Sequence, residues 1–191
     1  MTDAPDTRDR VIDATITLMR RSGFSGAGIN EILKESGAPK GSLYHFFPQG
    51  KRQIVSEAMA VYSQRVLALF EEALSKADTP GEKVRRLFQV TAQRLEQSEF
   101  RQSCAGGAVS LDLDAELEVV RLAVSRYFED SIDLFSKHFD FKDKRRAKSF
   151  GGILLTAIEG GYIRGRAEQS SRAFKEAATW LAEVADQEAR R

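Results

Sequence analysis

A chain of 191 residues with 42% hydrophobic and 30% charged residues and only four prolines has the make-up of a folded protein with a sizeable core, not of a disordered one. Its formal net charge of +1 excludes a bulk electrostatic signature of nucleic-acid binding, so any such function must rest on local placement of charge. No apolar run approaches the roughly 18 residues of a membrane span, and the start MTDAPDTRDR lacks the basic-then-apolar order of a secretory signal, so a cytoplasmic protein with no membrane partner is expected.

Between Thr7 and Ser22 the apolar positions Val11, Ala14, Leu18 and Met19 share one helical face, and Gly23 is placed to end that helix in a left-handed cap. Ile29 to Ser36 reads as a second, short helix closed by Gly37. Pro39 then opens a third through Lys40, Gly41, Ser42, Leu43, Tyr44 and His45. Phe47-Pro48-Gln49-Gly50 interrupts the pattern, after which Val55, Ala58, Met59, Tyr62, Val66, Leu69, Phe70 and Ala73 recur at helical spacing. They predict a long fourth helix over about 51–75.

Ala77 to Gly81 is a turn, where Thr79, Pro80 and Glu82 supply the N-cap, first-turn proline and acid of a capping box. The helix it starts carries the stripe Val84, Leu87, Phe88, Thr91 and Leu95, and gives way to an irregular piece, Glu99 to Asp112, with Gly106 and Gly107. Between Leu117 and Phe139 apolar residues cover more than one face, as in a helix packed from several sides. A turn from Asp140 to Arg146 precedes two more amphipathic stretches, and nothing reads as a strand. The predicted fold is all-α: three short helices over residues 1–50, then a larger helical bundle over 51–191 that opens with the connecting helix.

The pair of short helices, joined by about three residues with a glycine, has the layout of a helix-turn-helix, in which one helix braces and the next enters the major groove. Ile32 and Leu33 would pack the brace onto the first helix, while Leu43 and Phe47 anchor the reading helix from behind. Lys40, Gly41, Ser42, Tyr44 and His45 then lie outward. Lys40 and Lys51 suit phosphate neutralisation, the Ser42 and Tyr44 hydroxyls suit phosphate oxygens, Gly41 permits close approach, and His45 is the best candidate for a base edge. A helical corner with a solvated polar face would show the same period, so the residues decide more than the spacing.

The stretch GFSGAGINEILKESGAPKGSLYHFFPQGK, Gly23 to Lys51, resembles the N-terminal signature of the TetR family, and the extra residue in Pro48-Gln49-Gly50-Lys51 is similar to its LmrA/YxaF-like subgroup. One departure is that Ala27 and Gly28 stand where that family commonly carries a threonine at the start of the second helix, so no phosphate contact is assigned to position 27. The resemblance implies a homodimer on a near-palindromic double-stranded operator, with reading helices about 34 Å apart. It also implies a C-terminal domain that binds a small effector and dimerises through its last two helices.

On that footing the stripes Phe150, Ile153, Leu154, Ala157, Ile158 and Phe174, Ala178, Leu181 are expected at the dimer interface, although periodicity alone fits an internal core equally well. Phe88, Phe100, Cys104, Tyr127, Phe128 and Tyr162 are the candidate lining of an apolar pocket for a hydrophobic or aromatic effector, and equally the stuff of an ordinary core. Cys104 lies in Ser-Cys-Ala-Gly-Gly-Ala-Val-Ser-Leu-Asp, similar to a Gly-Cys-Pro segment of the same subgroup that runs on to an acid. It reads either as a thiol at the pocket wall that senses ligand or electrophile, or as a small buried hydrophobe. One cysteine excludes an internal disulfide, and His45 and His138 have neither metal-ligand spacing nor a serine placed for a nucleophile–base pair; no metal, cofactor or catalytic residue is expected. A repressor released by its effector is the expected function; a constitutive or activating DNA-binding protein without a switch is the alternative.

Overall fold

The computed structural model describes residues 6–191; the first five residues of the expected 1–50 domain, which are half of the start read for a secretory signal, lie outside the described residues. Among the described residues there are nine helices and no strand. They are α1 (Thr7–Gly26), α2 (Ile29–Ser36), α3 (Lys40–Phe46), α4 (Lys51–Ser75), α5 (Pro80–Gln97), α6 (Ala105–Ser110), α7 (Glu118–His138), α8 (Lys144–Glu168) and α9 (Arg172–Ala189). No described helix is long and apolar enough to cross a membrane.

Local chemistry accounts for several of the boundaries. Gly37 closes α2 in the left-handed region (φ 62°) and donates its N–H to the Leu33 carbonyl, satisfying a carbonyl that the helix end would orphan. The capping box at α5 is complete: Glu82 N–H donates to Thr79 Oγ1 and Thr79 N–H donates to Glu82 Oε2, both at 3.2 Å. Asp143 caps α8 by accepting from the Arg145 N–H at 2.8 Å. Gly23 behaves differently from a simple cap. At φ 67° and ψ −161° it breaks α1, but the chain makes a further helical turn to Gly26 before leaving the element.

The chain forms two compact units, with α4 and α7 contributing residues to both. The first comprises the described residues up to Gln64 together with Cys104–Tyr127. Its core brings Val11, Ile12 and Met19 of α1 together with Ile32, Leu43 and Phe47, and with Ile54, Val55 and Ala58 of α4, all buried. Here the structure corrects the expected irregular stretch from Glu99 to Asp112, because residues 105–110 form α6, which packs along α1 through buried Ala105, Gly106 and Val109. Two glycines in six residues give no helical propensity; tertiary burial decides the matter.

The second unit comprises Arg65–Ser103 and Phe128–Arg191. Its aromatic centre is Phe174 of α9, whose ring lies 6.4 Å from that of Phe88 and 5.3 Å from that of Tyr162. A second cluster joins Phe139, Phe141 and Phe150 at 5.1 to 5.8 Å. Close helix approach depends on glycines: a Cβ at Gly161 would stand 2.5 Å from the Phe174 ring, and one at Gly165 2.4 Å from the Leu95 side chain.

Candidate nucleic-acid interface

The reading helix is held from behind and open in front. Leu43 and Phe47 are fully buried in the first unit, so the helical period turns Lys40, Gly41, Tyr44 and His45 outward, with Ser42 half-buried at the edge. Tyr44 keeps 45% of its surface exposed, a large apolar ring with a hydroxyl tip that the protein itself does not cover. His45 is exposed, its ring resting edge-on against Phe46 at 5.2 Å. Gly41 is the most telling position. Nothing lies within 4 Å of where its Cβ would be, so no packing inside the chain requires a glycine there. Ala27 is fully buried, and Gly28 precedes α2 without a side-chain cap, so neither presents a hydroxyl at the start of this helix.

Lys51, expected on the phosphate side, is turned toward the protein. Its Nζ lies 4.1 Å above the Phe24 ring and donates to the Ser25 carbonyl at 3.4 Å. Burial pushes this ammonium below its ordinary value, and the negative charge of Asp112 acts in the opposite direction. The side chain thus ties the start of α4 to the end of α1, and a phosphate role for it would compete with those partners. In the sequence Asp112 is marked only as the acid that ends the Cys104 segment; in the fold its Oδ2 accepts the Ser25 N–H at 2.8 Å.

The candidate pocket residues do not form one group. Cys104 and Tyr127 meet in the first unit, where the thiol lies 3.3 Å from the Tyr127 hydroxyl and the Tyr127 ring lies 5.6 Å from that of Tyr62. Both are buried. In the second unit Phe88 and Tyr162 pack on Phe174, whereas Phe100 and Phe128 are half-buried, Phe100 in a left-handed turn (φ 59°) after α5. Of the six, Phe88 lines a groove of about 270 Å³ between α5 and α9, whose rim carries Arg85, Gln89, Gln93 and Lys175.

The expected dimer stripes need correcting in part. Phe150, Leu154, Ile158 and Phe174 are buried within the chain's own core and offer a partner little surface, while Ala157, Ala178 and Leu181 are half-buried. Only Ile153 of the eight is exposed, at 50%. Two apolar stripes run along α8, and periodicity could not say which one faced inward. The outward one passes through Gly152, Ile153, Thr156, Gly160 and Ile163, and the neighbouring surface of α9 shows Trp180, 72% exposed, and Val184. A Cβ at Gly152 or Gly160 would meet nothing within 4 Å, in contrast to the crowded Gly161.

Known proteins share both halves of this arrangement. Residues 11–58 match the family model described as bacterial regulatory proteins, tetR family, and residues 80–180, more than half the chain, match that of the transcriptional regulator LmrA/YxaF-like C-terminal domain. The uncharacterized HTH-type regulator YxaF of Bacillus subtilis is 29% identical over 166 residues, covering 85% of this chain and 86% of the relative. The HTH-type regulator LmrA of the same organism is 26% identical over 83% of this chain and 85% of its own. An HTH-type regulator of Mycobacterium tuberculosis reaches 30% over 83% of this chain and 84% of its own. Among solved structures, a regulatory protein TetR from Rhodobacter sphaeroides superposes with a TM-score of 0.84 at 18% identity, covering 93% of this chain and 97% of that one. A cysteine mutant of the TetR-family regulator CifR, complexed with double-strand operator DNA, does so with a TM-score of 0.81 at 20% identity, covering 96% of this chain and 98% of that one.

Proposed function

Since the chain belongs to the TetR family of transcriptional regulators, with a DNA-binding domain at its N-terminus and an LmrA/YxaF-like C-terminal domain, we propose that it is a repressor that binds a near-palindromic operator as a homodimer and is released by a small hydrophobic or aromatic effector. The observation that carries the DNA-reading part is α3, with Leu43 and Phe47 locked in the core behind an uncovered face of Lys40, Gly41, Tyr44 and His45. Lys40 and the Ser42 and Tyr44 hydroxyls serve phosphates, and His45 serves a base edge. The cell compartment that fits this role is the cytoplasm, where the DNA is.

Dimerisation is supported by the uncovered α8–α9 face, where Gly152 and Gly160 leave room for close approach and Ile153, Ile163, Trp180 and Val184 supply apolar area. The aromatic residues around Phe174, beside the groove that Phe88 lines between α5 and α9, supply the apolar chemistry an effector of this class would meet. To empty an occupied operator, such an effector must favour the non-binding conformer by about 5 kcal/mol.

The reading is tested by enriching a randomised duplex pool on the purified protein and titrating the enriched duplex at several salt concentrations. Wild type binds it with an affinity that falls as salt rises, by about 0.9 in log K per log salt for each neutralised phosphate. Lys40→Ala lowers both affinity and slope, Tyr44→Ala lowers affinity, and a library of apolar compounds contains members that release the duplex. Full affinity and an unchanged slope in both variants would refute the role of α3. An affinity that no compound alters would favour a constitutive DNA binder.

A further inference from the structure

Gly23 and Asp112 fit each other across 89 residues of chain. A Cβ at Gly23 would stand 2.6 Å from Asp112 Oδ2 and 2.7 Å from the Ala108 carbonyl, so the kink before the last turn of α1 is shaped to seat this carboxylate and the end of α6. The same oxygen accepts the Ser25 N–H at 2.8 Å. Ser25 offers its carbonyl, in turn, to Lys51 Nζ at 3.4 Å, and Lys51 covers Phe24 and feels the Asp112 charge. A second tie, Arg52 to Glu116 at 3.1 Å, joins the next residue of α4 to the segment after Asp112. Residues 23–28 lead without interruption into α2 and so into α3. One carboxylate therefore holds the corner that aims the reading helix, and it is carried by the segment that begins at Cys104.

We propose that Asp112 is a positioning residue for DNA reading: seated on Gly23 and bonded to Ser25, it fixes the α1–α2 corner and the Lys51 end of α4 in the arrangement that α3 needs, and its release lowers operator affinity without unfolding the chain. The inference rests on the operator-binding reading of α3. The Asp112–Ser25 hydrogen bond is solvent-exposed, and such a bond adds little to global stability, so what it contributes is orientation. Movement of residues 104–112 along α1 would break this joint, which makes it a place where an event in that segment changes affinity for DNA.

The full-length protein is compared with Asp112→Ala and Asp112→Asn, the second retaining an oxygen that accepts from Ser25. Amide exchange at Ser25, measured without DNA, is expected to rise about tenfold in Asp112→Ala and to stay near wild type in Asp112→Asn. Affinity for the enriched duplex is expected to fall about tenfold in Asp112→Ala and by less than about threefold in Asp112→Asn, while affinity for an unrelated duplex is unchanged in both. Unchanged Ser25 exchange in Asp112→Ala would overturn the joint. Faster exchange with full operator affinity would overturn its role in reading, and equal losses on both duplexes with a lowered melting temperature would reduce it to a fold requirement. If wild type itself failed to prefer the enriched duplex, the reading of α3 would fall and the positioning role with it; the exchange data, taken without DNA, would still show whether the joint exists.

Discussion

Replacing Gly41 by alanine should move stability and DNA binding in opposite directions. Glycine within a helix costs roughly 0.5–1 kcal/mol relative to alanine through the extra backbone freedom of the unfolded chain. Position 41 is the second residue of α3 and has an ordinary helical backbone, and its added Cβ would meet nothing within 4 Å, so no clash offsets that gain. In the first turn the lower end applies, about 0.5 kcal/mol, or roughly 1–2 °C in melting temperature for a chain of this size. On the DNA side the new methyl group occupies the space through which the start of α3 approaches the duplex. Operator affinity should fall by about tenfold, with each 1.4 kcal/mol lost being one decade. Thermal melting and titration of the enriched duplex measure the two effects on one preparation. A Gly41→Ala protein that melts higher and binds the operator as tightly as wild type would refute the argument that the gap at Gly41 is reserved for DNA.

Other expectations follow from adjacent residues with opposite surroundings. Gly161→Ala drives a methyl group into the Phe174 ring and should cost about 1–3 kcal/mol in chemical denaturation, whereas Gly160→Ala, which meets nothing within the chain, should not destabilise the protomer. Gly160→Leu should shift sedimentation from dimer to monomer with helical content intact; a dimer as tight as wild type would move the interface away from the outer face of α8. Cys104 is buried against Tyr127, so its modification by a thiol reagent under native conditions should be slow and should accelerate with denaturant; rapid native labelling that also releases DNA would favour the sensing role over packing. Thr79→Ala should cost about 1 kcal/mol by removing the α5 cap. The Thr79 backbone N–H, and then its hydroxyl, hold the Glu82 carboxyl below its ordinary value of 4.5, so the stability this adds is present above that pH and is lost as pH falls through the lowered value. Glu82→Gln should therefore melt below wild type at neutral pH, with the gap closing in acid.

What could be read from the sequence was what depends on neighbours along the chain. Gly37, Pro39, the break at residues 47–50 and the Thr79–Glu82 box mark helix ends by local backbone chemistry: α2 ends, α3 begins and ends, and α4 and α5 begin where those residues lie. The buried anchors Leu43 and Phe47 followed from period alone. Features that depend on distant partners were not legible. α6 contains two glycines and forms because α1 covers it. Lys51 looked like a surface cation, but Phe24, Ser25 and Asp112 draw it inward, and only the fold brings residue 112 near residue 25. On α8 the residues Leu154 and Ile158 form as regular a stripe as Ile153, Gly160 and Ile163, and which of the two is covered depends on the packing of α9 and α5, not on spacing. Trp180 is the large apolar residue that falls outside the inward stripe of α9, a signal the sequence does carry.

Hydroxyl-radical footprinting of the enriched duplex tests the central claim most directly. A dimer that reads successive major grooves with two copies of α3 should protect two patches on one face of the DNA, one helical turn or about 34 Å apart, and Tyr44→Ala should weaken both together. A single protected patch, or protection unchanged by Tyr44→Ala, would contradict operator reading by α3.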